Sequence, residues 1–62
     1  MGSLEIAKLA IAWHRANNAD PENVARETAA RYSYSAEQTE EVVELVRQRA
    51  ALRKEKGYWP AW

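Results

Sequence analysis

The chain has 62 residues, no Cys and a single His, and its nine Lys and Arg offset nine Asp and Glu to a formal net charge of +0. That length holds one domain, and that composition excludes disulfide scaffolds, zinc fingers, iron–sulfur sites and Cys-dependent chemistry. Hydrophobic residues make up 47%, yet 12 of them are Ala. A chain this short buries only about 60% of its unfolded surface, so well-formed helices must supply most of its stability.

The first predicted helix covers residues 4–17. Ser3 is placed to cap it through its hydroxyl, and Asn17-Asn18 to end it, because Asn tolerates the left-handed conformation found at helix ends. At about 100° per residue, Leu4, Ile6, Ala7, Leu9, Ala10, Ile11, Trp13 and His14 cover more than half of the circumference, leaving Glu5, Lys8, Ala12 and Arg15 as the remaining strip. One packing surface needs a stripe little wider than about 100°. This helix therefore touches both of the others or leaves an apolar flank for something else.

The second predicted helix covers 21–33. Asp20 is its N-cap, Pro21 takes the first position, where a missing N–H costs nothing, and Glu22 sits near the positive end of the dipole. Val24, Ala25, Thr28, Ala29 and Tyr32 form a narrow face rich in Ala, while Glu22 with Arg26 and Glu27 with Arg31 stand four apart in the favourable order. The third predicted helix covers 36–56. Ser35 and Gln38 spell a capping box, and Gly57 is the stop. Glu37, Glu40, Glu41 and Glu44 fill its first half, and Arg47, Arg49, Arg53, Lys54 and Lys56 its second, an order that suits the dipole. Thr39, Val42, Val43, Val46 and Ala50 make its core face, with Leu45 and Leu52 on a shoulder.

Short links at Asn18-Ala19 and Ser33-Tyr34 favour antiparallel neighbours. The expected fold class is all-α: an up-down-up three-helix bundle forming a single domain over residues 1–62, its third helix projecting past the first. The tail over 58–62, Tyr58-Trp59-Pro60-Ala61-Trp62, leaves from that projection and is too aromatic for an ordinary solvated end. Leu9 to His14, the longest uncharged stretch of the first half, falls far short of the roughly 18 apolar residues of a membrane span. The N-terminus also lacks the basic segment and apolar run of a signal peptide. A natural chain of this kind is expected in the cytoplasm, although Met1-Gly2-Ser3 reads as an engineered start.

Two resemblances follow from these residues. The stretch from Glu27 to Val43 resembles a helix-turn-helix, with small Ala29 at the crossing, Tyr32 three residues on, a tight turn at Ser33-Tyr34, and Thr39 and Val42 on the second helix. The turn carries Ser33 where that family usually has Gly. The resemblance implies DNA-facing residues at the front of the second helix, here Ser35, Glu37, Glu40 and Glu41, but acids repel phosphates and Glu reads bases only by accepting from cytosine. The combination of Asp-Pro-Glu at one helix start, Ser-Ala-Glu-Gln at another, a Gly stop, acid-first and base-last helices and absent Cys is similar to de novo designed three-helix mini-proteins. It implies a designed or engineered scaffold.

The chemistry-bearing residues point away from catalysis. His14 has no second His or Cys with which to bind a metal and is best read as a boundary residue that packs its ring. The carboxylates fall on solvated faces, and two Gly cannot form a phosphate loop. No cofactor is expected. The informative residues are aromatic, because Trp and Tyr concentrate at binding hot spots. Trp13 and Trp59 are expected in the core, with Tyr58-Trp59 folding back near Leu52, whereas Tyr34 and Trp62 are expected to be exposed. A partner-contact surface would be drawn from Trp13, His14, Tyr34, Leu52, Tyr58, Trp59 and Trp62. The function expected is a non-enzymatic scaffold or protein-binding module, by way of a protein target or self-association through the wide arc of the first helix. The alternative is a small helix-turn-helix DNA-binding regulator.

Overall fold

A computed structural model describes residues 2–62; Met1 lies outside the described residues. Three helices, α1 (Ser3–Asn17), α2 (Pro21–Arg31) and α3 (Ala36–Lys56), each pack against the other two. Cross-links between side chains set their directions. Ser3 meets Glu41 at one end and His14 meets Trp59 at the other, so α1 and α3 run parallel. Arg26 pairs with Glu40 and Glu22 with Arg47, so α2 runs against α3. The all-α, up-down-up bundle is the observed architecture. Its radius of gyration, 10.7 Å, matches the about 10.6 Å of a compact chain this long.

Local chemistry explains most helix ends. The Asn23 backbone N–H donates to Asp20 Oδ2 at 3.1 Å, with Pro21 following the cap. At α3 the capping box closes both ways: Gln38 N–H donates to Ser35 Oγ and Ser35 N–H to Gln38 Oε1, each at 3.1 Å. Asn18 and Gly57 adopt the left-handed conformation, at φ 53° and 81°. The start of α1 differs from expectation. The helix begins one residue earlier, with Gly2 as its cap, and Ser3 caps nothing. Its hydroxyl donates to Glu41 Oε2 of α3 at 2.8 Å instead, exchanging a local contact for one between helices.

α2 stops at Arg31, two residues short of the expected end, because the chain closes a Schellman motif. Tyr34 N–H donates to the Ala29 carbonyl and Ser33 N–H to the Ala30 carbonyl, at 3.1 and 3.0 Å. Ser33 takes the left-handed position at φ 57°. That conformation costs a residue with a Cβ about 1–2 kcal/mol, against about 0.5–1 kcal/mol of extra unfolded-state entropy for Gly. Ser33→Gly is therefore expected to stabilise the fold by about 0.5–1 kcal/mol, which raises the melting temperature by a few degrees. A calorimetric scan showing an unchanged or lower Tm would contradict this account of the turn.

The core is thin and made of small or branched residues. Ile6, Ala7, Ala10 and Ile11 of α1, Val24, Ala25 and Ala29 of α2, and Val42, Val43 and Val46 of α3 are buried, with Leu9, Tyr34, Leu45 and Trp59 packed around them. Thr28 is buried too, and its hydroxyl donates to the Val24 carbonyl at 2.7 Å, so it costs no unpaired group. Four Ala in the interior let the helices approach closely and leave no volume for an indole. Trp13, expected in the core, consequently lies outside it and is 51% exposed. Tyr32, expected on the core face of α2, is exposed beyond the end of the helix. Tyr34, expected exposed, is half-buried against the core, the position where a Schellman motif often makes a hydrophobic contact.

Candidate functional site

The aromatic residues do not form one surface. Tyr34 lies in the α2–α3 turn, at the end of the bundle where Ser3 meets Glu41, whereas the tail lies at the far end of α3. Trp13 stands on the outer side of α1. His14 and Trp59 are joined directly, edge to face, with ring centroids 5.7 Å apart and planes at 74°. Leu52 is half-buried on α3, and Tyr58 is 61% exposed.

Trp13 separates two depressions. On one side, Leu9, Ala12 and Ala16 join it in a shallow apolar groove along α1. These residues recur at the seven-residue spacing of a helix–helix seam; Ala12, Trp13 and Ala16 are exposed and Leu9 is half-buried. On the other side, Asn17, Ala19, Val24, Glu27, Thr28 and Arg31 line a cleft between α1 and α2. The Arg31 guanidinium lies 5.6 Å from the centroid of the Trp13 ring, within the about 6 Å reach of a cation–π contact. Side chains tilt toward the N-terminus of their own helix, so in antiparallel helices Trp13 and Arg31 lean toward each other. Sequence spacing within α2 pointed Arg31 at Glu27 and did not show this pairing.

The tail folds back along α3. Trp59 packs against the core, half-buried, where its ring meets His14. Beyond it, Arg49 Nη1 donates to the Ala61 carbonyl at 2.7 Å, and the same guanidinium sits 4.4 Å from the centroid of Trp62. Trp62 is 42% exposed, in line with its expected exposure, but it is held rather than loose. His14 Nδ1 is hydrogen-bonded to the Ala19 carbonyl. A carbonyl only accepts, so Nδ1 carries the hydrogen of this bond.

The front of α3 is acidic. Glu37, Glu40, Glu41 and Glu44 surround an open depression with Ser3 and Leu45. Glu40 accepts from Arg26 at 3.1 Å and Glu41 from Ser3, while Ser35 is committed to its cap. Arg47 bridges Glu22 and Glu44 at 2.7 and 2.9 Å. Its hydrogen bond to Glu22, followed by the charge of that carboxylate, raises the guanidinium above its ordinary pKa. Glu22 and Arg26 thus turn to α3 rather than to each other, because both lie on the α2 flank that α3 approaches. Ion pairs this exposed are screened by solvent, and they bear on register more than on stability.

Among the described residues, no group of three or more His, Cys, Asp or Glu could hold a metal ion, and no helix is long and apolar enough to cross a membrane. Compared with known proteins, the chain matches no family model, no curated protein and no solved structure.

Proposed function

We propose that the chain is a non-enzymatic helical scaffold of designed origin that binds protein through the outer face of α1. The observation that carries the reading is the shallow apolar groove of Leu9, Ala12, Trp13 and Ala16, which offers an aromatic anchor beside small residues on a rigid helix. Designed origin is supported by agreement between levels: Asp20, the Ser35–Gln38 box and Gly57 each occupy the helix end their chemistry suits. The Val-rich interior of α3 departs from that style, since β-branched residues are weaker helix formers.

The fitting partner is another amphipathic helix, and a second copy of α1 supplies one. In an antiparallel pair centred between Leu9 and Ala12, Leu9 of one copy faces Ala12 of the other, so that one patch is its own complement in a two-fold contact. The groove spans Leu9 to Ala16, about 10 Å at 1.5 Å per residue, and is no wider than the about 10 Å of a helix; two such strips bury on the order of 200 Å², well short of the about 1,200 Å² that stable interfaces bury. Association should therefore be weak. Sedimentation equilibrium is expected to show a mass rising from 7.1 kDa toward twice that value at millimolar concentration, and Leu9→Glu should hold the chain monomeric with its helix content unchanged. A mass fixed at that of the monomer throughout would overturn the contact-surface reading and leave a bare scaffold. The duplex-DNA reading is less favoured, because the front of α3 presents carboxylates where phosphates would lie.

A further inference from the structure

The parallel arrangement brings the C-terminal ends of α1 and α3 side by side, and the folded tail closes a cleft between them. His14, Arg15 and Asn18 line it from α1, Arg53 from α3, and Trp59 from the tail. No carboxylate lines this cleft. Among the described residues the ion pairs are Arg26–Glu40, Arg47–Glu22 and Arg47–Glu44, so Arg15 and Arg53 join none. In a chain whose charges cancel overall, two arginines line this cleft without an ion-pair partner.

We propose that this cleft binds a tetrahedral oxyanion of the phosphate class. Two helix C-termini oppose an anion, each with about half a negative charge, but two guanidinium groups outweigh them and leave a surplus near one positive charge. Planar guanidinium forks suit the paired oxygens of a phosphoryl group, and the Asn18 amide adds two N–H donors. The hydrogen bond from His14 to Ala19 fixes the imidazole, which in turn meets the Trp59 ring. Trp59 supplies an apolar wall, and a wall of low dielectric strengthens a charge contact made beside it. Inorganic phosphate and the phosphoryl group of a phosphorylated side chain share this chemistry. An organic monoester would gain a further contact with the ring.

The test is a titration of the full chain followed by ¹⁵N–¹H correlation spectra, with inorganic phosphate in one arm and O-phosphoserine in the other. Chloride holds ionic strength constant and serves as the control anion. The expected result is a saturable shift of the Trp59 indole N–H and of residues 14–18, with a midpoint on the order of 1 mM, equivalent to roughly 4 kcal/mol. Tighter binding of phosphoserine than of phosphate assigns the site to a phosphorylated partner; equal midpoints assign it to the free anion. Arg15→Ala and Arg53→Ala, both at exposed positions that the core does not need, should each weaken the midpoint at least tenfold. Lys8→Ala, an exposed cation outside the cleft, should leave it in place. Equal shifts with chloride, or a midpoint unmoved in the Arg15→Ala/Arg53→Ala double variant with the fold intact by circular dichroism, would overturn the proposal.

Discussion

Ile6→Ala is expected to cost about 2–5 kcal/mol and to leave much of the chain unfolded at physiological temperature. Ile6 is fully buried, and it is the only Ile among the largest side chains in that state; the others are Val42, Val43 and Val46. Each neighbour is short, so little can slide in to refill the space, and the cost should lie toward the upper end of the range. At about 0.05–0.15 kcal/mol per residue, a 62-residue domain holds only roughly 3–9 kcal/mol in all. One truncation therefore consumes most of it. Urea unfolding followed at 222 nm gives the difference directly, with Leu4→Ala as the comparison. Leu4 is nearly half exposed, and its truncation should cost under about 0.5 kcal/mol. Equal losses at the two positions would mean that the interior is not organised around Ile6.

That contrast between Ile6 and Leu4 marks where sequence reasoning works and where it stops. The start of α2 and both ends of α3 were legible because a cap is made by residues within four positions of one another: Asp20 with Asn23, Ser35 with Gln38, Gly57 with Arg53. The core faces of α2 and α3 were legible, Tyr32 excepted, because their apolar stripes are narrow. The apolar arc of α1 is wider than half a turn, so its own pattern cannot say which part faces inward. The other two helices decide that, and their Ala-lined approach excluded Trp13 while accepting Ala7 and Ala10. Pairings between helices were hidden for the same reason. Spacing within α2 pointed Glu22 at Arg26, and only the packed geometry turns Glu22 to Arg47 and Arg26 to Glu40. The cleft between Arg15 and Arg53 needs three segments brought together, and no local pattern encodes it.

Trp59→Ala should release the whole tail yet lower the stability of the fold by only about 0–1 kcal/mol, because the freed tail regains the entropy that its ordering cost. About half of an indole surface of 150–250 Å², at about 25 cal/mol per Å², gives roughly 2 kcal/mol, and the edge-to-face contact with His14 adds about 0.5–1.5 kcal/mol. Beyond Trp59 the tail is held by the Arg49–Ala61 hydrogen bond, about 1.5–3 kcal/mol for a charged donor, and by the Arg49–Trp62 cation–π contact, about 0.5–1 kcal/mol where exposed. Together these reach about 4.5–7.5 kcal/mol. Ordering five residues costs about 5–10 kcal/mol of backbone entropy, less the share that Pro60 saves by its fixed φ. The two sides nearly cancel, so the tail is ordered as a unit or not at all. Removing Trp59 takes away the largest single contribution, and Arg49 cannot then hold Ala61 and Trp62 alone. Heteronuclear NOE values over residues 58–62 are expected to fall to those of a free terminus, and the emission of Trp62 to shift to that of a solvated indole. Trp62→Ala removes only the cation–π contact, so it should cost under about 1 kcal/mol and leave Trp59 against His14. An ordered Trp62 in the Trp59→Ala variant would show that Arg49 anchors the tail independently of the core.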